Sequence, residues 1–81
     1  MEIKEKIRNH IAEKFFEEDN KHELENSTPL ISGGILDSIS TNQVVDFLEK
    51  EFDVEFQPHE VEEEFLDTID LMTASVKSKL K

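Results

Sequence analysis

The sequence predicts an all-α fold: a small bundle of three main helices plus one short helix, with a long first loop. Three observations predict it. Apolar residues recur at helical spacing in three separate stretches. Turn-forming residues separate those stretches. The one short polar–apolar alternation, Asp53-Val54-Glu55-Phe56, has no second strand to pair with and reads as an extended loop whose Val54 and Phe56 plug into the core. The chain of 81 residues is one domain, 1–81, small enough that its stability should be modest. It has no cysteine, so neither disulfides nor a Cys-based zinc site supplement the core.

The elements follow in order. Ile3, Ile7, Ile11 and Phe15 repeat every four residues, and Ala12 and Phe16 widen the stripe into an amphipathic helix over 2–17. Residues 18–36 lose this period. Asp19-Asn20 and Asn26-Ser27-Thr28-Pro29 are turn chemistry, while Leu30, Ile31, Ile35 and Leu36 around Gly33-Gly34 are apolar anchors. A long loop with its own anchors packs on the core and is often functional. Its polar half, Glu18 to Glu25, is a candidate for mobility. A second helix over 38–52 buries Ile39, Val44, Val45, Leu48 and Phe52, with Asp37 or Ser38 as its N-cap. Pro58 opens a short helix that runs into the acidic 60–64 stretch. Asp67 or Thr68 caps the last helix, which buries Ile69, Met72, Val76 and Leu80.

Charge bounds the partners. Twenty acidic against nine basic side chains leave a net charge of −11. Such a chain is repelled by phosphate backbones, so nucleic acid is not an expected partner. Asp37, Asp46, Glu49, Glu51, Asp53, Glu55, Glu60, Glu62, Glu63 and Glu64 share their span with one base, Lys50, whereas Lys77, Lys79 and Lys81 stand without acids from Leu71 onward. One negative face beginning near residue 37 suits partners with basic patches. The three lysines suit a helix C-terminus. The stretch Met1 to Ile7 is charged and lacks the apolar run of a signal peptide, and no segment reaches the length of a membrane span. A cytoplasmic monomer without a membrane partner is expected.

Catalysis finds little support. A nucleophilic serine needs a base, and His10, His22 and His59 fall in no triad pattern. Glu62-Glu63-Glu64 points in several directions around a helix and lacks the glycine and spacing of a calcium loop, so no metal site is expected. Ser38 at a helix start is ordinarily a cap. Its surroundings, however, read Gly34-Ile35-Leu36-Asp37-Ser38-Ile39.

That stretch resembles the attachment motif of acyl carrier proteins and of the carrier domains of peptide and polyketide synthases. The similarity runs along nearly the whole chain. Phe47-Leu48-Glu49-Lys50-Glu51-Phe52-Asp53-Val54 resembles the family's end of helix two, and Phe65-Leu66-Asp67-Thr68-Ile69 its entry into the last helix. The resemblance implies a non-enzymatic carrier. Its Ser38 would receive 4′-phosphopantetheine from coenzyme A through a phosphopantetheinyl transferase, making the chain a phosphoprotein. The thiol of that group would hold acyl or aminoacyl groups, as thioesters, for a loading ligase and downstream acyl-processing enzymes of fatty-acid, polyketide or other specialised biosynthesis. Asp37, Gly34 and Ile39 would frame the attachment site. Asp46, Glu49, Glu51, Glu62 and Glu63 would bind partners.

Elementary physics fits that picture. A helix N-terminus favours a phosphodiester, and Gly33-Gly34 leaves room for close approach. Val44, Val45, Phe47, Leu48, Ile69 and Met72 would either line a refuge for an acyl chain or simply form the core. The sequence also departs from the family pattern. Ile39 replaces the usual Leu, Ser40-Thr41-Asn42-Gln43 is uncharged where acids are common, and Lys50 interrupts the later acids. These departures favour a specialised carrier over the central fatty-acid one. The alternative is an acidic helical interaction module, a degenerate carrier without a prosthetic group, in which Ser38 is only a cap.

Overall fold

A computed structural model describes residues 3–80, and its main helices fall where the apolar spacing places them. Helix α1 spans Ile3–Phe15, α2 Ser38–Phe52, α3 Glu63–Leu66 and α4 Ile69–Lys79. The fold is an all-α bundle of three main helices and one short one, and no strand occurs among the described residues. Glu2 and Lys81 lie outside them. The first helix ends at Phe15 rather than at 17.

Each main helix contributes a fully buried stripe: Ile7 and Ile11 from α1, Val44 and Leu48 from α2, and Ile69, Met72 and Val76 from α4. Helix α4 packs against both α1 and α3. Helices α1 and α2 run antiparallel, since Lys6 pairs with Glu51 at 2.7 Å and His10 stacks on Phe47 with ring centroids 3.7 Å apart. Asp53-Val54-Glu55-Phe56 is an extended connection, and Phe56 is buried as expected.

One local reading needs correction. The expected helix from Pro58 through 64 is interrupted: a 3₁₀ turn at Pro58–Glu60 ends before α3 begins. The Glu60 carboxylate accepts the Gln57 N–H at 2.8 Å and closes the turn on itself, and Val61 leaves helical geometry at φ −93°, ψ 62°. The polar 18–25 stretch, a candidate for mobility, is largely exposed but carries one buried residue. Leu24 is 1% exposed, its carbonyl accepts from Arg8 Nη2 at 3.1 Å, and Lys21–Glu23 forms a 3₁₀ turn. One apolar residue in a polar run carries no period, so the signal for it was absent.

Helix α2 ends on Asp53 in the left-handed region at φ 55°, with its N–H donating to the Glu49 carbonyl. An L-residue with a side chain is strained there, and glycine is not. Asp53→Gly is expected to raise stability by about 0.5 kcal/mol in urea denaturation; a loss would show that the aspartate side chain holds the turn.

Candidate functional site

The start of α2 resolves the choice between Asp37 and Ser38. Asp37 is extended at φ −95°, ψ −171°, and its Oδ1 accepts the Ser40 N–H at 2.8 Å. Asp37 is therefore the N-cap. The Ser40 backbone N–H, followed by the Ser40 hydroxyl, holds the Asp37 carboxyl below the ordinary aspartate range, so it is ionised near neutral pH. Ser38 is the first residue of the helix. It is exposed, and among the described residues its hydroxyl takes part in no hydrogen bond. The reading of Ser38 as a cap is thereby corrected. Ser38→Ala is expected to change stability by less than about 0.5 kcal/mol, instead of the larger loss that follows removal of a cap.

The loop before α2 is folded tightly on its own backbone. The Leu30 carbonyl accepts from the N–H groups of both Ile35 and Leu36, at 2.9 and 2.8 Å, and the Ile31 carbonyl accepts from Gly34 at 3.1 Å. Gly34 adopts φ +81°, which favours glycine, while the direction of its missing side chain is open space. Gly33 is constrained differently: a Cβ there would collide with the carbonyl oxygen of Pro29. The expectation that both glycines leave room for an approaching enzyme holds at most for Gly34; Gly33 is already filled by the chain itself.

The start of α4 resolves the choice between Asp67 and Thr68. Thr68 caps α4, with its Oγ1 accepting the Leu71 N–H at 3.0 Å. Asp67 is left to reach across to the loop. Its Oδ1 accepts the N–H groups of Ile31 and Ser32 at 2.8 and 2.9 Å, its Oδ2 accepts the Ser32 hydroxyl at 2.8 Å, and its carbonyl accepts the Leu30 N–H at 2.6 Å. Burial pushes the Asp67 carboxyl up, but the bonds from Ser32 and Ile31 together outweigh it and hold the group below its usual range. Through this clamp the α3–α4 junction positions the loop that delivers Ser38. The adjacent pair of capping residues was the available signal, since only one of two neighbours can cap.

Two open concavities lie at the start of α2, and Ser38 lines the first of them. A cleft of about 490 Å³ lies between the start of α2 and the α3 region, lined by Ile31, Asp37, Thr41, Val61, Glu62 and Glu63 among others. A groove of about 600 Å³ lies between α1 and α2, lined by Lys14, Phe15, Ile39, Asn42, Gln43 and Phe47 among others. Asn42 borders both. Ile39, expected on the buried face of α2, is instead 70% exposed, because the first turn projects beyond the core. Val44, Val45, Leu48, Ile69 and Met72 are at most 8% exposed and line neither concavity, so they pack as core. Phe47 alone of the proposed refuge residues reaches the groove.

The five acids named as partner contacts are separated by what they touch. Asp46 pairs with Lys50 at 3.0 Å and Glu51 with Lys6 at 2.7 Å. Glu49 is no free surface acid, since its carboxylate accepts the Phe56 N–H at 2.8 Å and anchors the connection after α2. Glu62 and Glu63 are exposed, border the cleft beside Ser38, and form no ion pair among the described residues. His10 is held neutral-leaning by burial and then by Lys14. No group of three or more His, Cys, Asp or Glu suited to a metal ion occurs among the described residues. None of their helices is long and apolar enough to cross a membrane. No family model matches the chain, and no curated protein matches it.

Proposed function

We propose that the chain is an acyl carrier protein and that Ser38 is the attachment point of 4′-phosphopantetheine. The observation that carries this reading is the division of labour at the start of α2. Asp37 takes over the cap and leaves the Ser38 hydroxyl exposed and unbonded, within the Gly34-Ile35-Leu36-Asp37-Ser38-Ile39 stretch. The residues fit the group. The first turn of a 15-residue helix stabilises a phosphodiester through its N–H groups and dipole. Gly34 leaves the flank open, and no core residue must move to admit the modification.

In attachment, Ser38 Oγ displaces at the pyrophosphate of coenzyme A. The new P–O bond forms at Ser38, the pyrophosphate bond breaks, 3′,5′-adenosine bisphosphate leaves, and the hydroxyl proton is lost to a base on the transferase. Asp37 is committed to the Ser40 N–H and serves to orient the turn. When bound, the group supplies a terminal thiol that holds acyl or aminoacyl groups as thioesters. Partners are a phosphopantetheinyl transferase, a loading ligase and acyl-processing enzymes. Glu62 and Glu63 are the strongest docking acids because no cation among the described residues pairs with them, whereas Asp46 and Glu51 must exchange a lysine for the partner. The uncharged 40–43 run favours a specialised carrier.

The test is the intact mass after incubation with coenzyme A, Mg²⁺ and a broad-specificity phosphopantetheinyl transferase. One phosphopantetheine increment is expected on the wild type and none on Ser38→Ala, whose fold is unchanged. A folded wild type that stays unmodified beside a modified control carrier would leave the acidic interaction module as the reading. Glu62→Gln/Glu63→Gln is expected to raise the transferase KM at low salt, with the difference shrinking at high salt as screening removes the charge term. Equal KM values at low salt would place docking elsewhere.

A further inference from the structure

We infer that Lys79 is the latch that holds residues 57–64 in place and thereby positions Glu62 and Glu63 beside Ser38. The docking role of those two acids rests on the carrier reading above; the latch itself does not. Residues 57–64 form a strap between two buried anchors, Phe56 at 8% exposure and Leu66 at 0%. No residue of the strap is buried: Glu60 and Val61 are half-buried and the rest are exposed. Its backbone bonds, from the Glu60 N–H to the Gln57 carbonyl at 2.9 Å and from the Val61 N–H to the Pro58 carbonyl at 3.2 Å, close a local turn and reach nothing beyond it. Among the described residues, a single side-chain pair joins the strap to a distant element. Lys79 Nζ, on the last residue of α4, donates to both Oε1 and Oε2 of Glu60 at 2.7 Å, across 19 residues of sequence.

This pair is set apart from the surface pairs. The side chains of Lys79 and Glu60 are 17% and 20% exposed, against 77% and 60% for Lys50 and Asp46. Water and salt therefore screen it less. The Lys79 ammonium also stands 4.9 Å from the centre of the Phe56 ring, a second attraction for the same cation. Phe56 is fixed in turn by burial and by its N–H, which donates to Glu49. Lys79 thus rests on a fixed point and grips the one half-buried carboxylate of the strap. Glu60 is followed directly by Val61, Glu62 and Glu63, which line the cleft together with Ser38. Without the pair, the partial packing of Val61 is the strap's remaining hold on the core. The two acids then lose their fixed place relative to Ser38. Compensation of the helix dipole asks only for a cation near the end of α4, which Lys77 also supplies. It does not account for the carboxylate or the ring.

The experiment measures backbone NMR order parameters and transferase kinetics in the wild type, Lys79→Met, Lys79→Arg and Glu60→Gln. Methionine keeps an apolar stem over Phe56 and removes the charge, arginine keeps the charge, and glutamine keeps an acceptor for the Gln57 N–H. In Lys79→Met and Glu60→Gln the order parameters at 59–63 are expected to fall from the rigid level of about 0.85 toward 0.6. Helix α1 should be unchanged, and Lys79→Arg should match the wild type. In the two loosened variants the transferase KM should rise about threefold at low salt, with kcat unchanged. Adding Lys79→Met to Glu62→Gln/Glu63→Gln should raise it no further, because the acids are the route of the effect. Unchanged order at 59–63, or a loss confined to the last turn of α4, would overturn the latch. A loose strap with the wild-type KM, or a KM rise that persists once both acids are gone, would overturn the positioning role. A wild type that takes no phosphopantetheine increment would remove the carrier reading and the docking role with it, while the order parameters still decide the latch.

Discussion

Gly33→Ala is expected to destabilise the protein by about 3 kcal/mol, the upper end of the cost of forcing atoms into filled space. The Cβ would meet the Pro29 carbonyl oxygen, which is backbone and has no rotamer to escape into. Relief requires the 29–36 loop to open, and that loop is cross-tied by the Leu30 carbonyl to Ile35 and Leu36. Leu30, at 0% exposure, would be drawn from the core with it. Gly34→Ala is the internal comparison. It has open space around it but a left-handed φ, so its cost is conformational alone, about 1 kcal/mol. Urea denaturation of the two variants separates the mechanisms. Equal midpoints would show that the loop passes Pro29 less closely than described. On the carrier reading proposed above, both variants should still be modified at Ser38 wherever they remain folded, because neither glycine touches the hydroxyl.

Asp67→Ala is expected to cost about 2 kcal/mol, toward the lower part of the range for several bonds to a charged acceptor, because the carboxylate stands partly in solvent. Three donors lose their partner at once: the N–H groups of Ile31 and Ser32 and the Ser32 hydroxyl. Amide exchange should accelerate through 30–36 more than in α1, and, on the proposed carrier reading, modification of Ser38 should slow because the loop before it is no longer held. The pH dependence follows from the direction of the shift. The folded-state pKa of Asp67 is depressed, so its contribution is fully present above the unfolded value of about 4 and is lost as pH falls through the folded value. The stability gap between wild type and Asp67→Ala is therefore expected to be constant near neutrality and to close in acid. A gap that persists unchanged below pH 3 would assign the clamp to shape and not to the ionised carboxylate.

Much of this architecture was legible in the residues because the spacing is regular. Ile7 and Ile11, Val44 and Leu48, and Ile69, Met72 and Val76 each mark a helix by period, and each is buried. The end of α2 near Phe52 followed from residue type, which also narrowed the cap of α4 to Asp67 or Thr68. Singular contacts were not legible. Leu24 anchors a polar stretch without any repeat to announce it. Glu49 looks like a surface acid on a helical wheel, yet Phe56 folds back onto it from seven residues away. Ile39 fits the apolar face by number, yet the first turn of α2 overhangs the core and leaves it exposed.

The sequence by itself determined the all-α bundle, its acidic character and Ser38 as the residue of interest, because period, charge count and a local motif are properties of short stretches. Only the tertiary structure decided that Asp37 and not Ser38 caps α2, that Asp67 clamps the loop 35 residues away in sequence at Ser32, and which of the acids remain unpaired. Those outcomes depend on which donor comes within about 3 Å of which acceptor, and that distance is set by the packing of distant helices.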